Sequence, residues 1–294
     1  MVKLLDSEIR TREVRNWKGL HLFHAGLSSC SQKTRIFLAE KNLPWESHPV
    51  NIAANENISE YFLGINPRGL VPVLVDDGDV HIESNDIILH IEDRFPEPGL
   101  IPLANRDSVE DLLRHEDDLH TDIRNVTFRF LFEPPVSPKT DEDLERYGRF
   151  GSATINGQAD LQKAREISFW KSYGERRVTD EAARQSVNQF RLAFEKLDRT
   201  LADQPYLMGE KLSVVDIAWF VYANRLALAG YPLAALHPHL SRWYDRLLGR
   251  PHWSDEVAMP APLRAMAEQH QERLSTESRR MIDICDLAGE RLGG

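Results

Sequence analysis

The sequence predicts an α/β domain followed by an all-helical domain. Residues 20–96 alternate short strand-like runs with amphipathic helical stretches, and nearly everything beyond residue 104 has helical periodicity. Prolines at 96, 98 and 102 indicate a linker between the two. The chain of 294 residues is long enough for two cores. The predicted divisions are an N-terminal extension (1–19), the α/β domain (20–96), the linker (97–104), the helical domain (105–260) and a C-terminal helical extension (261–294).

The first half of the α/β domain is predicted as strand, helix, strand and helix. LHLFH (20–24) is a short alternating run of strand type, and residues 31–41 carry apolar side chains at helical spacing. WESHPV (45–50) is predicted as a second strand, and its proline favours a sheet edge or a strand end. NISEYFLGIN (57–66) is predicted as a short helix that stops before Asn66-Pro67.

The second half of this domain is predicted as a hairpin and a helix. The Asp-Gly pair of DDGD (76–79) is a strong turn signal between the runs VPVLV and DVHI. SNDIILHIEDRF begins with Ser84, which is predicted as the helix cap, and ends before Pro96. The resulting order is strand, helix, strand, helix, strand, strand, helix, within the size of an ordinary small domain.

The helical domain is predicted from periodicity and a few punctuating residues. Residues 107–132 are predicted as one long helix that ends at Glu133-Pro134-Pro135, and further helices are predicted near 160–173 and 180–203. Ser213 and Asp216 are spaced as a capping box, with Asp in place of the usual Glu. The tail from Pro262 is predicted as a charged surface helix.

Composition and charge argue against several classes of function. The formal net charge of −10 disfavours nucleic acid as the main partner, because phosphate binding needs a basic surface. No apolar run approaches the roughly 20 residues of a membrane span, and the charged N-terminus lacks the apolar centre of a signal peptide. Cys30 and Cys285 do not make a disulfide framework, so a reducing cytoplasm is expected.

Three short segments resemble the cytosolic glutathione transferase superfamily. They are SSCSQKTRI after the first strand, NPRGLVPVLVDDG before the hairpin and ESNDIILHIEDRFP at the last helix of the α/β domain, and YLMGEKLSVVDIAWF is similar to the family's capped core helix. The resemblance implies a thioredoxin-like N-terminal domain and an all-α C-terminal domain, the glutathione transferase fold. The first segment is most similar to the zeta class (maleylacetoacetate isomerase) and to tetrachlorohydroquinone reductive dehalogenases, and INPRG resembles bacterial β-etherases.

Ser28, Ser29 and Cys30 are the candidate catalytic residues. The resemblance implies glutathione as co-substrate, and a thiol is mostly protonated at neutral pH unless its site stabilises the anion. A hydroxyl donor at a helix N-terminus does so through its hydrogen bond and through the helix dipole. By family register Ser28 matches the zeta-class serine and is favoured for the thiolate, while Cys30 matches the cysteine of the dehalogenases and is a second, redox-active candidate. In the competing explanation the serines only cap the helix and Cys30 only packs.

Leu70, Val71, Pro72, Glu83 and Ser84 are the candidate glutathione-binding residues. The resemblance implies a cis bond before Pro72 that exposes the Val71 backbone to the cysteinyl part of glutathione. Glu83 is expected to bind the γ-glutamyl ammonium, and Ser84 with the N–H groups of the next turn is expected to bind the carboxylate. Leu70 departs from the family pattern, in which Gln or Lys is common, so one side-chain contact to the tripeptide is open.

The helical domain is expected to supply the pocket for an electrophile. Arg124 and Phe128, one turn apart on its first long helix, are candidate lining residues, and Trp170 and Trp219 are further aromatic candidates. For each of them, packing in the core or a place on a solvated helix face is the competing explanation.

The resemblance predicts a glutathione transferase, in which bound thiolate attacks a small hydrophobic electrophile, most simply an aromatic one. Glutathione-dependent β-etherase, reductive dehalogenase and isomerase activities on the same fold are alternatives, and a non-catalytic scaffold is the alternative of another class. The family implies a cytoplasmic homodimer with a role in detoxification, without nucleic-acid or membrane partners. No metal site is predicted, because His115 and His120 are wrongly spaced for one helical face.

Overall fold

A computed structural model describes residues 2–102, 105–136, 138–285 and 287 of the chain. Its elements form two compact units, a first unit of residues 1–99 and 136–177 and a second unit of residues 100–135 and 178–294. The strands are β1 (Val2–Lys3), β2 (Leu20–His24), β3 (Glu46–Pro49), β4 (Val73–Asp76), β5 (Asp79–Ile82), β6 (Thr154–Ile155) and β7 (Gln158–Ala159). The helices are α1 (Ser29–Glu40), α2 (Glu60–Leu63), α3 (Ser84–Arg94), α4 (Arg106–Asp118), α5 (His120–Phe130), α6 (Asp141–Arg149), α7 (Gln162–Arg176), α8 (Asp180–Thr200), α9 (Val214–Leu228), α10 (Leu233–Leu236), α11 (Pro238–Leu248), α12 (Pro251–Val257), α13 (Ala261–Thr276) and α14 (Met281–Ile284).

The first unit contains a five-stranded sheet of order β1-β5-β4-β2-β3. β2 runs parallel to β3 and antiparallel to β4, and β5 and β1 continue the antiparallel part. The α/β fold class predicted for this part of the chain is confirmed. Pro49 is the last residue of β3, which is an edge strand, so both positions predicted for this proline apply. Asp77 and Gly78 have φ values of 49° and 89°, as the predicted two-residue hairpin turn requires.

The N-terminal residues are part of this unit, although the sequence predicted an extension over 1–19. β1 pairs with β5 and adds a strand to the sheet. Leu4, Ile9 and Val14 are buried in the same hydrophobic core as the strands β4 and β5. A two-residue strand is too short to produce a periodic signal, which explains the wrong boundary.

Residues 136–177, called the inserted segment below, also belong to the first unit, whereas the sequence assigned them to a helical domain over 105–260. Ile155 of the β6–β7 hairpin joins the core of the sheet, and Tyr147 of α6 packs against Leu63. Helical periodicity shows that a helix has an apolar face, but it does not show which domain covers that face. The predicted boundary is therefore corrected.

A buried carboxylate joins the inserted segment to the N-terminal residues. Glu8 is only 1% exposed, and it accepts hydrogen bonds from the backbone N–H groups of Leu5 (2.9 Å), Asn156 (3.1 Å) and Gly157 (2.9 Å). Burial by itself would raise the pKa of Glu8, but these hydrogen bonds outweigh it and hold that pKa below its ordinary value. The ionised side chain therefore holds two distant parts of the chain together.

The second unit carries the helical part of the prediction, with one correction. The stretch predicted as a single helix over 107–132 is two helices, α4 and α5, which meet at Leu119. The N–H group of Leu119 bonds to the carbonyl oxygen of Glu116, three residues back, so the helix tightens there. No Gly or Pro marks this break, and the apolar periodicity continues across it. Among the described residues, no helix is long and apolar enough to cross a membrane.

The capping box predicted at Ser213 and Asp216 is present at the start of α9. The buried Asp216 carboxylate accepts hydrogen bonds from the backbone N–H and the Oγ of Ser213, each at 2.9 Å. It also accepts from the N–H of Leu207 and from Nε1 of Trp243, again at 2.9 Å. Burial raises the pKa of Asp216 despite these bonds.

Acid is expected to destabilise the first unit through His81 of β5. His81 is 4% exposed, neither ring nitrogen has a hydrogen-bond partner among the described residues, and burial together with His90 lowers its pKa from 6.5 to about 4. Between these values the unfolded chain binds the proton and the folded chain does not, so stability is lost as the pH falls from 6.5 towards 4. At about pH 5 the loss is about 2 kcal/mol. Urea unfolding of wild type and His81→Phe at pH 7 and pH 5 checks this, and an equal loss in both would contradict it.

Candidate active site

Three loop segments meet at one end of the sheet. Val73 of β4 pairs with Phe23 of β2 on one side and with Ile82 of β5 on the other. The residues next to these pairs, Pro72 and Glu83 among them, therefore leave the sheet at the same end. The helices α1 and α3 begin in the segments that follow β2 and β5, so two helix N-termini with partial positive charge lie at this end. The predicted catalytic and glutathione-binding residues are thus brought together.

Ser28, Ser29 and Cys30 lie at the start of α1. Ser28 is the cap residue, and its Oγ accepts a hydrogen bond from the N–H of Ser31 at 3.2 Å. Because that bond uses a lone pair, the hydroxyl proton of Ser28 can still be donated to another group. Ser29 and Cys30 are the first two residues of the helix, and all three residues are half-buried. The cap and the thiol-binding explanations of Ser28 are therefore compatible.

The loop ahead of α1 is held from within by Arg35. Its guanidinium donates to the carbonyl oxygens of Ala25 (3.2 Å) and Gly26 (3.3 Å) and to Nδ1 of His24 (3.0 Å). Burial and the charge of Arg35 lower the pKa of His24 to about 4, so the ring is neutral and accepts this bond. A buried cation that the sequence pattern did not single out therefore holds the loop that leads to Ser28.

The turn before β4 is held by hydrogen bonds to its carbonyl groups. Three side chains donate to three consecutive carbonyl oxygens: the Tyr147 hydroxyl to Arg68, Asn57 Nδ2 to Gly69 (2.8 Å) and Asn66 Nδ2 to Leu70 (2.8 Å). The peptide bond between Val71 and Pro72 is cis. Val71 is half-buried at the edge of the hydrophobic core. The backbone of the predicted glutathione-binding turn is therefore held by residues on both sides of α2 and by the inserted segment.

Glu83 has an unusual backbone and occupies the cap position of α3. Its φ of 67° is in a region that non-glycine residues seldom adopt, and such strain concentrates at functional positions. The first bond of the helix runs from Ile87 N–H to the carbonyl oxygen of Glu83 at 2.9 Å, so Glu83 is the cap and the prediction of Ser84 is wrong. Ser84 is the first residue inside the helix and is 5% exposed.

Arg68 links Glu83 to the inserted segment. Its Nη1 lies 2.5 Å from Oε1 of Glu83, while its Nε and Nη2 contact both carboxylate oxygens of Asp160 at 3.1 and 2.5 Å. Burial would lower the pKa of Arg68, but hydrogen bonds to Asp160 and the charge of Glu83 raise it above its ordinary value, so the guanidinium stays charged. One cation and two carboxylates leave this Arg68 network with a formal charge of −1.

Three of these residues were not predicted as site residues: Arg35, Arg68 and Asp160. Arg68 is part of the NPRG sequence that carries the resemblance, and an arginine beside a binding turn is a signal that could have found it. Asp160 is 92 residues away from Arg68, in a segment that the resemblance does not describe. The contact of Asp160 with Arg68 is visible only in the folded structure.

The four predicted pocket residues do not belong to one unit. Arg124 and Phe128 are half-buried on α5 of the second unit, and Trp170 is on α7 of the first unit. The ammonium of Lys139 lies 5.5 Å from the centre of the Trp170 ring. Trp219 of α9 is fully buried. Its burial favours the core-packing explanation over a place in a substrate pocket.

Comparisons with known proteins show which family the chain resembles over both of its matched domains. Two family models match the chain, the N-terminal domain of glutathione S-transferase at residues 27–94 and its C-terminal domain at residues 180–246. Protein LigF from Sphingobium sp. (strain NBRC 103272 / SYK-6) is 29% identical over 242 residues, 79% of this chain and 90% of LigF. Maleylacetoacetate isomerase from Pseudomonas aeruginosa is 42% identical over 77 residues, 25% of this chain and 36% of that protein.

Solved structures share the fold. The crystal structure of the β-etherase LigF from Sphingobium sp. strain SYK-6 matches with a TM-score of 0.68 at 27% identity, over 81% of this chain and 98% of LigF. A glutathione transferase homologue from Drosophila mojavensis with bound glutathione has the same fold, with a TM-score of 0.62 at 18% identity, over 86% of this chain and 98% of that one. The N-terminal family match spans every residue from Ser28 to Ser84. With both domains matched in order, this chain belongs to the glutathione transferase superfamily.

Proposed function

We propose that this protein is a glutathione transferase that activates the glutathione thiol for attack on a small hydrophobic, aromatic electrophile. The observation that carries the proposal is the pairing of β4 with both β2 and β5. This pairing places the start of α1, the Val71–Pro72 peptide and Glu83–Ser84 at one end of the sheet. A peptide ligand that carries a thiol, a backbone and a charged amino-acid head needs these three kinds of partner together.

In this proposal the site holds glutathione through three sets of contacts. The backbone of Val71 pairs with the cysteinyl residue as an added strand would. Glu83 binds the γ-glutamyl ammonium, and Ser84 with the first N–H groups of α3 binds the carboxylate beside it. Ser28 donates its hydroxyl proton to the sulfur, while the N-terminus of α1 further favours the thiolate.

The chemical step follows from the activated thiolate. Its sulfur attacks the electrophilic carbon, a C–S bond forms, and the bond from that carbon to the leaving group breaks. The leaving group departs with the electron pair and takes a proton from water. The protein's part is to bind glutathione, orient it and keep its thiol ionised.

Cleavage of an ether is the second candidate function. Similarity to LigF favours it, because that relative is a β-etherase and matches 79% of this chain. In this case the C–O bond breaks as the C–S bond forms, and a phenolate leaves. The motif similarities also keep isomerisation and reductive dehalogenation as alternatives. Dehalogenation would require the Cys30 thiolate to attack the sulfur of a glutathionyl adduct. The S–S bond of a mixed disulfide then forms as the C–S bond breaks, and the carbon leaves with the electron pair and takes a proton from water.

A homodimer in the cytoplasm with a role in detoxification completes the proposal. The family membership supports each of these points. Size-exclusion chromatography with light scattering measures the oligomeric state directly.

Glutathione at millimolar concentration is expected to raise the melting temperature of the protein, because a ligand that binds only the folded state stabilises it. The Glu83→Gln variant is expected to show a smaller shift, whereas Glu142→Gln, on the exposed face of α6, serves as the matched control and keeps the full shift. A chlorodinitrobenzene and a β-aryl ether, each assayed with glutathione, then separate conjugation from ether cleavage. No thermal shift and no turnover of either compound would favour the scaffold alternative.

A further inference from the structure

We propose that His21, Glu46 and His48 form a binding site for a divalent transition-metal ion, with zinc as the expected ion. The three residues belong to the neighbouring strands β2 and β3. Nδ1 of His21 lies 3.1 Å from Nε2 of His48 and 3.3 Å from Oε2 of Glu46. All three potential ligand atoms lie within 4.8 Å of one another.

Strand pairing fixes the cluster through the backbone. His21 is the register partner of Glu46, and Phe23 is the partner of His48, in the parallel pair β2–β3. Residues two apart on a strand point to the same face, so Glu46 and His48 lie on the same face of the sheet as His21. The arrangement is therefore set by the fold and does not depend on a flexible loop.

The two distances from His21 Nδ1 suit a tetrahedral ion. Bonds of 2.0 to 2.2 Å to nitrogen and oxygen, at tetrahedral angles, place neighbouring ligand atoms about 3.3 to 3.6 Å apart. The contacts of His21 with His48 and Glu46, at 3.1 and 3.3 Å, need only a few tenths of an ångström of adjustment. Two imidazoles and one carboxylate also form a donor set that zinc accepts, whereas Mg²⁺ and Ca²⁺ prefer oxygen donors.

The second ring nitrogen of His21 makes the kind of hydrogen bond that metal-binding histidines make. Nε2 lies 2.9 Å from the carbonyl oxygen of Lys18, and a carbonyl can only accept, so Nε2 carries a proton. In the neutral ring this leaves the lone pair on Nδ1, the atom that faces the other two ligands. Hydrogen bonds of this kind orient metal-binding histidines.

Aromatic packing holds both rings in place. The Trp17 ring stacks on His48, with centroids 4.7 Å apart, and lies 4.6 Å from the centroid of His21. Phe23 stacks on His48 at 4.8 Å. Because the rings are already ordered, metal binding costs little side-chain entropy.

A metal ion would take the place of a hydrogen bond between the two histidine rings. Without metal, the Nε2 proton of His48 is donated to Nδ1 of His21. An ion between the two nitrogens replaces that proton, which moves to the other nitrogen of His48. The Glu46 side chain is 73% exposed, so water can enter as the fourth ligand.

This cluster lies away from the glutathione residues. His21 and Glu46 are near the N-terminal ends of β2 and β3, while the glutathione end of the sheet is the other end of β2. His24 lies three positions further along the strand than His21, a distance of about 10 Å. The ion would therefore cross-link the edge strand β3 to β2 without taking part in the reaction.

The test is titration of the full chain, freed of metal by a chelator, with ZnCl₂ and CoCl₂. Isothermal titration calorimetry is expected to show one zinc ion per chain with micromolar or tighter affinity. Cobalt is expected to give the intense visible absorption of a tetrahedral site. Zinc is also expected to raise the melting temperature.

Two variants at accessible positions locate the site, because replacing the buried His21 can unfold the protein. Glu46→Gln and His48→Gln are each expected to weaken zinc binding at least tenfold, while His239→Gln in α11 of the second unit is the control and leaves it unchanged. The circular dichroism spectra of the variants confirm that they fold. Absence of zinc binding, unchanged binding in both site variants, or a preference for Mg²⁺ over zinc would each overturn the proposal.

Discussion

Replacing Ser28 with alanine is expected to lower kcat/KM for glutathione conjugation about 100-fold, the size of effect seen when a single donor to a developing anion is lost. The Ser28 Oγ accepts from the N–H of Ser31, so its proton is available to the thiolate. Without that proton the thiol of bound glutathione becomes less acidic, and the pH–rate profile moves to higher pH. Steady-state rates at saturating glutathione across pH 5 to 9 measure both effects.

The cap and the thiolate contact of Ser28 can be separated by two further variants. Ser28→Ala also loses the cap, at a cost of about 1 kcal/mol. Ser28→Thr keeps both the cap and the hydroxyl donor, so it is expected to retain most of the activity. Ser28→Asp keeps a good cap but places a negative charge beside the sulfur, so it is expected to be stable and inactive. An active Ser28→Asp variant would show that Ser28 is only a cap.

The Cys30→Ser variant tests whether Ser28 or Cys30 activates the glutathione thiol. It is expected to keep its conjugating activity, since Cys30 is inside the first turn of α1 and Ser28 occupies the cap. If Cys30→Ser lost its activity while Ser28→Ala stayed active, Cys30 and not Ser28 would be the residue that activates the thiol. Full activity of Cys30→Ser with every accepted substrate would exclude the redox step in which Cys30 attacks a glutathionyl adduct and forms a mixed disulfide.

Much of the fold could be predicted because local patterns decide it. The hairpin at Asp77-Gly78 and the capping box at Ser213 and Asp216 are signals of a few residues, and both are present. The strand β1 and the inserted segment were misassigned for a different reason. Their place is decided by partners far along the chain, such as Gly157 for Glu8, and periodicity contains no information about such partners.

The candidate site could likewise be predicted only where its residues lie in contiguous segments. Ser28, Val71-Pro72 and Glu83-Ser84 belong to contiguous segments that resemble a known family, so each could be named in advance. The contact of Arg68 with Asp160 spans 92 residues, and the one between His21 and His48 depends on the register of two parallel strands. Contacts of this kind exist only after folding.

The net charge of the Arg68 network is expected to affect the binding of glutathione, which is itself an anion. Free glutathione has two carboxylates and one ammonium, so it binds as an anion, and its thiolate adds a second negative charge. Glu83 attracts the ammonium, but its charge and that of Asp160 repel the rest of the ligand. Arg68, 2.5 Å from both carboxylates, offsets one of these charges. Its side chain is 17% exposed, so water screens the effect only in part.

Opposite changes of charge in this network are therefore expected to have opposite effects. Arg68→Met moves the formal charge from −1 to −2 and is expected to raise the KM for glutathione about tenfold, equivalent to about 1.4 kcal/mol. Asp160→Asn moves the charge to 0, so it is expected to leave this KM unchanged or lower, although the lost bidentate pair reduces the melting temperature. Arg68→Lys keeps the charge and serves as the matched control. Steady-state KM values at low and high salt measure the effect, which is expected to shrink as salt screens the charges. A raised KM in both Arg68→Met and Asp160→Asn, insensitive to salt, would mean that the network only supports the turn and does not tune the charge of the site.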